Sequence, residues 1–60
     1  MSKENYLKVA KEAASLERAG SYKPASEMWE MAVEHATTNT DTKWCRDRAE
    51  ICKFRAEKRR

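Results

Sequence analysis

Two cysteines, one histidine and ten carboxylates are the residues of this 60-residue chain that could support covalent or metal chemistry. Their spacing argues against it. Cys45 and Cys52 stand seven apart on what reads as one helix, which puts their Cα atoms about 10 Å apart along its axis. A disulfide needs less than about 7 Å, so the two cannot bridge each other within that helix. No CxxC or HxxxH pair accompanies His35, so a metal site is poorly supplied with ligands. Both thiols fall at apolar positions, where a free cysteine packs as a small hydrophobe. His35 has no sequence partner for a catalytic triad. It falls near a helix C-terminus, where partial positive charge is favourable. Gly20 is the only glycine, so there is no phosphate-cradling loop. Catalysis needs a positioned acid, base or nucleophile in a cleft, and a domain this small hardly forms one. The expectation is a protein that is not an enzyme and carries no cofactor.

The charges point instead to recognition. From Pro24 to Ala36 the chain carries Glu27, Glu30 and Glu34 and no lysine or arginine, with Met31 between Glu27 and Glu34. An acidic rim around an apolar centre is a common interface design. The last eight residues are the opposite: Lys53, Arg55, Lys58, Arg59 and Arg60 against Glu57 alone, a net +4. The overall charge is +3, so the other fifty-two residues sum to −1. The basic character is local, which argues against a surface coated for nucleic acid, although a basic tail can contact phosphate. Arg48 falls inside an apolar stripe, where it needs an acceptor. Glu17 is the candidate for a structural ion pair with it, and Glu12 an alternative.

These residues are positioned by a helical pattern. Val9, Ala13 and Leu16 recur at helical spacing before Gly20, and Ala25, Met28, Trp29, Ala32, Val33 and Ala36 do so after it. One glycine, one proline and 38% charged residues suit an all-α chain. The first helix is predicted from about Lys3 to Ala19, with Ser2 as its N-cap and Tyr6 and Ala10 on its main apolar face. Leu7 and Ala14 form a second, narrower edge. Gly20 supplies the positive φ at its end. The second helix is predicted from Tyr22 to Ala36, capped by Ser21 or Lys23, with Pro24 in the first turn where no N–H is needed. The third starts near Asp41, capped by Asn39 or Thr40. Its apolar side is Trp44, Cys45, Ala49, Ile51, Cys52 and Ala56. The expected core is Val9, Ala13, Leu16, Gly20, Tyr22, Ala25, Trp29, Ala32, Trp44 and Cys52.

A single domain of 60 residues buries only about 60% of its unfolded surface and usually needs added support. Without a disulfide or metal, that support is expected from a second copy or another protein. Leu7, Ile51 and Phe54 are the candidate dimer contacts, Phe54 because the helical wheel turns it to solvent. The basic tail, residues 53–60, is expected to fray at its end. No apolar run of secretory or membrane-spanning length is present, which together with the free thiols leads to an expectation of a cytoplasmic protein.

Gly20-x-Tyr22 followed by Ala25, Trp29 and Ala32 resembles the first hairpin of a tetratricopeptide repeat. A shift of 35 residues lays Val9, Ala10, Ala14 and Leu16 on Trp44, Cys45, Ala49 and Ile51, close to that repeat's period of about 34. The third helix would then begin a second repeat whose partner helix is missing. Such units need stacked neighbours.

A resemblance over nearly the whole chain is carried by A-x-x-A-A-x-L-E-R-x-G-x-Y (Ala10 to Tyr22), A-x-x-x-W-x-x-A (Ala25 to Ala32) and N-x-x-x-x-W-x-x-x-R-A-x-x-C (Asn39 to Cys52). These runs are similar to the ANR family, small negative transcriptional regulators of enteric Gram-negative bacteria and their phages. Pro24 and Ser26 depart from the family, which tends to carry helix-forming residues there. The resemblance implies binding to an AraC-type activator protein and interference with its self-association or its hold on DNA. It implies no site residues. Those come from the wheel: Glu27, Glu30, Met31 and Glu34 as the partner face, attractive to a basic DNA-binding module. The alternative is a small nucleic-acid-binding regulator gripping phosphate with Lys53, Arg55, Lys58, Arg59 and Arg60 and stacking Phe54 on a base.

Overall fold

A computed structural model describes residues 3–58 and shows an all-α protein of three helices, α1 (Lys3–Arg18), α2 (Tyr22–His35) and α3 (Asn39–Lys58). Ser2, Arg59 and Arg60 lie outside the described residues, and so do the roles assigned to them. α1 and α2 form a helical hairpin. α2 packs against both neighbours, whereas α1 and α3 touch only marginally. The three helices therefore make an open arc around α2.

The α1–α2 turn is built by Gly20, at φ 87°. An L-residue with a Cβ pays a steric cost there, and glycine does not. The Ser21 amide donates to Leu16 O at 2.9 Å and the Gly20 amide to Glu17 O at 3.0 Å. This paired closure satisfies two carbonyls that the end of α1 would otherwise leave open. Ser21 stands at the N-cap of α2 but makes no side-chain capping bond. Pro24 lies in the first turn of α2, where its missing donor is harmless. At α3 the cap is Thr38, not Asn39 or Thr40: its Oγ1 accepts the Asp41 amide at 3.1 Å, and α3 begins at Asn39. α3 continues as helix to Lys58 and takes in residues 53–58 of the basic tail.

The core is narrow and made mostly of small side chains. Ala13, Ala25, Ala32, Cys45 and Cys52 are fully buried, with Tyr6, Trp29 and Ala49 beside them. Alanines let the helix axes approach closely, and only Trp29 and Tyr6 contribute large apolar bodies. Val9, Leu16 and Tyr22 pack against this core but stay half-buried. Trp44 is a correction. It was expected in the core and is 51% exposed. The buried side of α3 is Cys45–Ala49–Cys52, and Trp44 sits one residue, or about 100°, away from Cys45. Large apolar side chains remain on the outside: Leu7, Met31, Trp44, Ile51 and Phe54.

Candidate functional site: two opposed faces of the helical arc

Glu17 ties the arc together. It projects from the last turn of α1, and each of its oxygens serves a different helix. Trp29 Nε1 on α2 donates to Oε1 at 3.2 Å. Arg48 on α3 pairs with Oε2. The Trp29 ring is almost wholly buried, and its N–H is polar, so an acceptor at this point is required rather than optional. Among the described residues no buried side-chain nitrogen or oxygen lacks a partner. Arg48 also lies over the Trp44 ring, 5.4 Å from its centroid, and Trp44 meets Trp29 edge-on at 6.3 Å and 83°. The exposed tryptophan is thus held by a buried one on one side and a guanidinium on the other.

This cluster lines an open groove of about 540 Å³ between α1 and α3. Its floor is Trp29 and Tyr22, and its walls are Ala14 and Arg18 on α1 and Trp44, Arg48 and Arg55 on α3. Arg55 is held over the Tyr22 ring, 5.7 Å from the centroid, with Nη1 donating to Tyr22 Oη at 3.5 Å. Three arginines face one carboxylate, Glu17, so the groove carries an excess of two positive charges. By helical spacing Leu7 shares the α1 side of Ala14 and Arg18, and Ile51 shares the α3 stripe of Trp44, Arg48 and Arg55. The structural ion pair expected between Arg48 and Glu17 is present, whereas Trp44, expected in the core, lines this groove, and Arg18, favourable at a helix C-terminus, lines it too. The i, i+4, i+7, i+11 register of Trp44, Arg48, Ile51 and Arg55 was the available signal.

The opposite side of α2 carries the predicted partner face. Glu27, Met31 and Glu34 are all exposed, Met31 at 48%, and they follow i, i+4, i+7 on the side of α2 turned away from Trp29. Glu30 is separate from them. Its carboxylate takes Lys53 Nζ at 3.0 Å across the α2–α3 seam. The hydrogen bond that Lys53 donates to that carboxylate, together with the carboxylate's charge, raises the Lys53 ammonium above its ordinary value. The ridge is therefore Glu27–Met31–Glu34, with Glu30 spent on the seam.

The basic residues near the C-terminus do not share one face. Lys53 pairs with Glu30, Arg55 lies on Tyr22, and Lys58 Nζ sits 5.3 Å from the centre of the Phe54 ring. Phe54 is 61% exposed, the most exposed large apolar side chain described. The candidate dimer residues divide as well: Leu7 and Ile51 belong to the groove side, Phe54 to the outer side of α3.

The thiols are quiet. Cys45 and Cys52 are free and fully buried. Burial pushes both above the ordinary thiol value. The Cys45 thiol donates to Tyr6 Oη at 3.6 Å. Burial, then this contact with Cys45, pushes the Tyr6 phenol well above its usual range. Nucleophilic or metal-binding sulfur needs the thiolate, which this environment disfavours. Among the described residues no three of His, Cys, Asp and Glu converge as a metal site, and no helix is long and apolar enough to cross a membrane.

No protein-family model, no curated protein and no solved structure is similar to this chain.

Proposed function

We propose that the protein is a small transcriptional co-regulator that binds an AraC-type activator protein and represses its action. The observation that carries the docking role is the Glu27–Met31–Glu34 ridge: an exposed methionine between two exposed carboxylates, on a helix whose other side is fully engaged. A large apolar side chain framed by like charges suits a basic partner, with the methionine as anchor and the carboxylates steering the approach. The AraC-type activator is named by the resemblance to the ANR family, and a cytoplasmic bacterial setting goes with it. Repression follows if the chain occupies the activator's self-association or DNA-binding surface. The nucleic-acid reading draws less support, because the described tail cations do not share one face: Lys53 pairs with Glu30 on the α2–α3 seam, Arg55 lies on the groove side and Lys58 lies against Phe54.

A promoter-occupancy assay tests the reading. Purified protein added to an activator–promoter complex should release the DNA in a dose-dependent way while failing to retard the promoter alone. Glu27→Lys/Glu34→Lys protein should leave the complex intact. Retardation of DNA by the chain alone, lost on removal of Lys53 to Arg60, would instead support direct nucleic-acid binding.

A further inference from the structure

The groove and the ridge are complementary, and they belong to the same chain. The groove presents Arg18 and Arg55 on its two walls, with Trp44 half-exposed between the helices. The ridge presents Glu27 and Glu34 on either side of Met31. The groove's excess of two positive charges matches the two carboxylates of the ridge. A flexible thioether also suits an irregular aromatic-lined gap. Trp29 lies on the groove floor, and the ridge residues are on the far side of the same helix. Ridge and groove therefore face opposite ways, and no molecule can place its own ridge in its own groove.

We infer that the occupant of the α1–α3 groove is the α2 ridge of a second copy of this chain, in a head-to-tail association. Met31 of the incoming copy lies against Trp44, with Glu27 and Glu34 reaching Arg18 and Arg55. Two different patches meet, so the contact is heterologous. Because they lie on opposite sides of the molecule, the contact leaves one ridge and one groove open and adds further copies instead of closing as a two-fold dimer. Arg48 takes no part, being held by Glu17. A ridge engaged this way is not available to a basic protein at the same time. If the activator-binding reading above holds, self-association and activator binding compete for Glu27, Met31 and Glu34.

The test uses the full chain alone, so its outcome is independent of any activator. Light-scattering mass is measured over a concentration series for wild type, for a ridge variant (Glu27→Arg/Glu34→Arg) and for a groove variant (Arg18→Glu/Arg55→Glu). Circular dichroism confirms that each is folded, and all four residues are exposed. Wild type should grow past twice its 7.0 kDa as concentration rises. Each variant alone should remain monomeric, with association weakened at least roughly tenfold by like-charge contact. Mixed in equal amounts, the two variants should regain association and, like wild type, grow past two chains by alternation. Within either variant alone ridge and groove carry like charges; in the mixture the reversed ridge meets the reversed groove, and the unaltered ridge of the groove variant meets the unaltered groove of the ridge variant, so both contacts carry opposite charges. Wild type that stays monomeric would overturn the inference, as would a closed dimer that neither variant disturbs or a mixture that stays monomeric.

Discussion

Replacing Glu17 by alanine should cost more than any other single surface-adjacent change. Glu17 and Arg48 have side chains 13% and 29% exposed, and the indole N–H that Glu17 accepts belongs to a tryptophan only 3% exposed. Two losses combine. A buried donor left without an acceptor costs about 1–3 kcal/mol. The Arg48 pair is partly screened by solvent, so its loss adds only about 0.5–1 kcal/mol. The sum is about 2–4 kcal/mol. A stability of roughly 0.05–0.15 kcal/mol per residue puts the whole domain at about 3–9 kcal/mol. The change therefore removes a large share of the total. In a domain of this size about 1 kcal/mol moves Tm by 4–8 °C, so Tm should fall by about 8 °C or more in a thermal melt followed by circular dichroism. Glu17→Gln keeps an acceptor for the indole and loses only the charge, so it should cost about 1 kcal/mol or less. If Glu17→Ala melts within a degree or two of wild type, the three-helix tie is not holding the arc together.

Other outcomes follow from the same geometry. Trp29→Ala should cost about 3–5 kcal/mol, as for a core aromatic, and abolish cooperative unfolding; Trp44→Ala, half-exposed, should cost no more than about 1 kcal/mol in urea titrations. Gly20→Ala places a Cβ at φ 87° and should cost about 1–2 kcal/mol in the same titrations. Stability should decline on the alkaline side. Tyr6, Cys45 and Cys52 all have folded values raised above their ordinary ones of 10.0, 9.0 and 9.0. Below those ordinary values both states are protonated and the stability is fully present. As pH rises past about 9, the unfolded chain releases protons first, and stability falls by up to about 1.4 kcal/mol per pH unit for each group. Urea midpoints from pH 8 to 10.5 check this, and a flat profile would mean the three groups are solvated in the folded state.

The fold was legible where residue type left little choice. Gly20 between two alanine-rich periodic runs specifies a turn with positive φ, and the Ala13, Ala25, Trp29, Ala32 spacing specifies which sides of α1 and α2 meet. α3 was harder. Its apolar residues spread from Trp44 round to Ala56, so the wheel alone did not decide which part of that arc faced α2. The small Cys45–Ala49–Cys52 row won because it lets α3 lie close on α2, and Trp44, too large for that seam, was left at its edge. Thr38 was hidden among neighbours equally able to cap, in the run Thr37-Thr38-Asn39-Thr40-Asp41. Glu30 read as part of the acidic face because its partner, Lys53, is twenty-three positions away on another helix. Pairings across helices depend on approach and rotation, which periodicity within one helix does not carry. The groove was invisible for the same reason: its arginines and aromatics come from all three helices.

The most direct measurement for the account as a whole is the affinity of the folded protein for a purified AraC-type activator, taken by titration calorimetry at two salt concentrations. The account predicts binding that weakens with salt, falls sharply for Glu27→Lys/Met31→Ala/Glu34→Lys, and is unchanged for Phe54→Ala. An activator that gives no heat with the folded chain, or binds the triple variant as tightly as wild type, would contradict it.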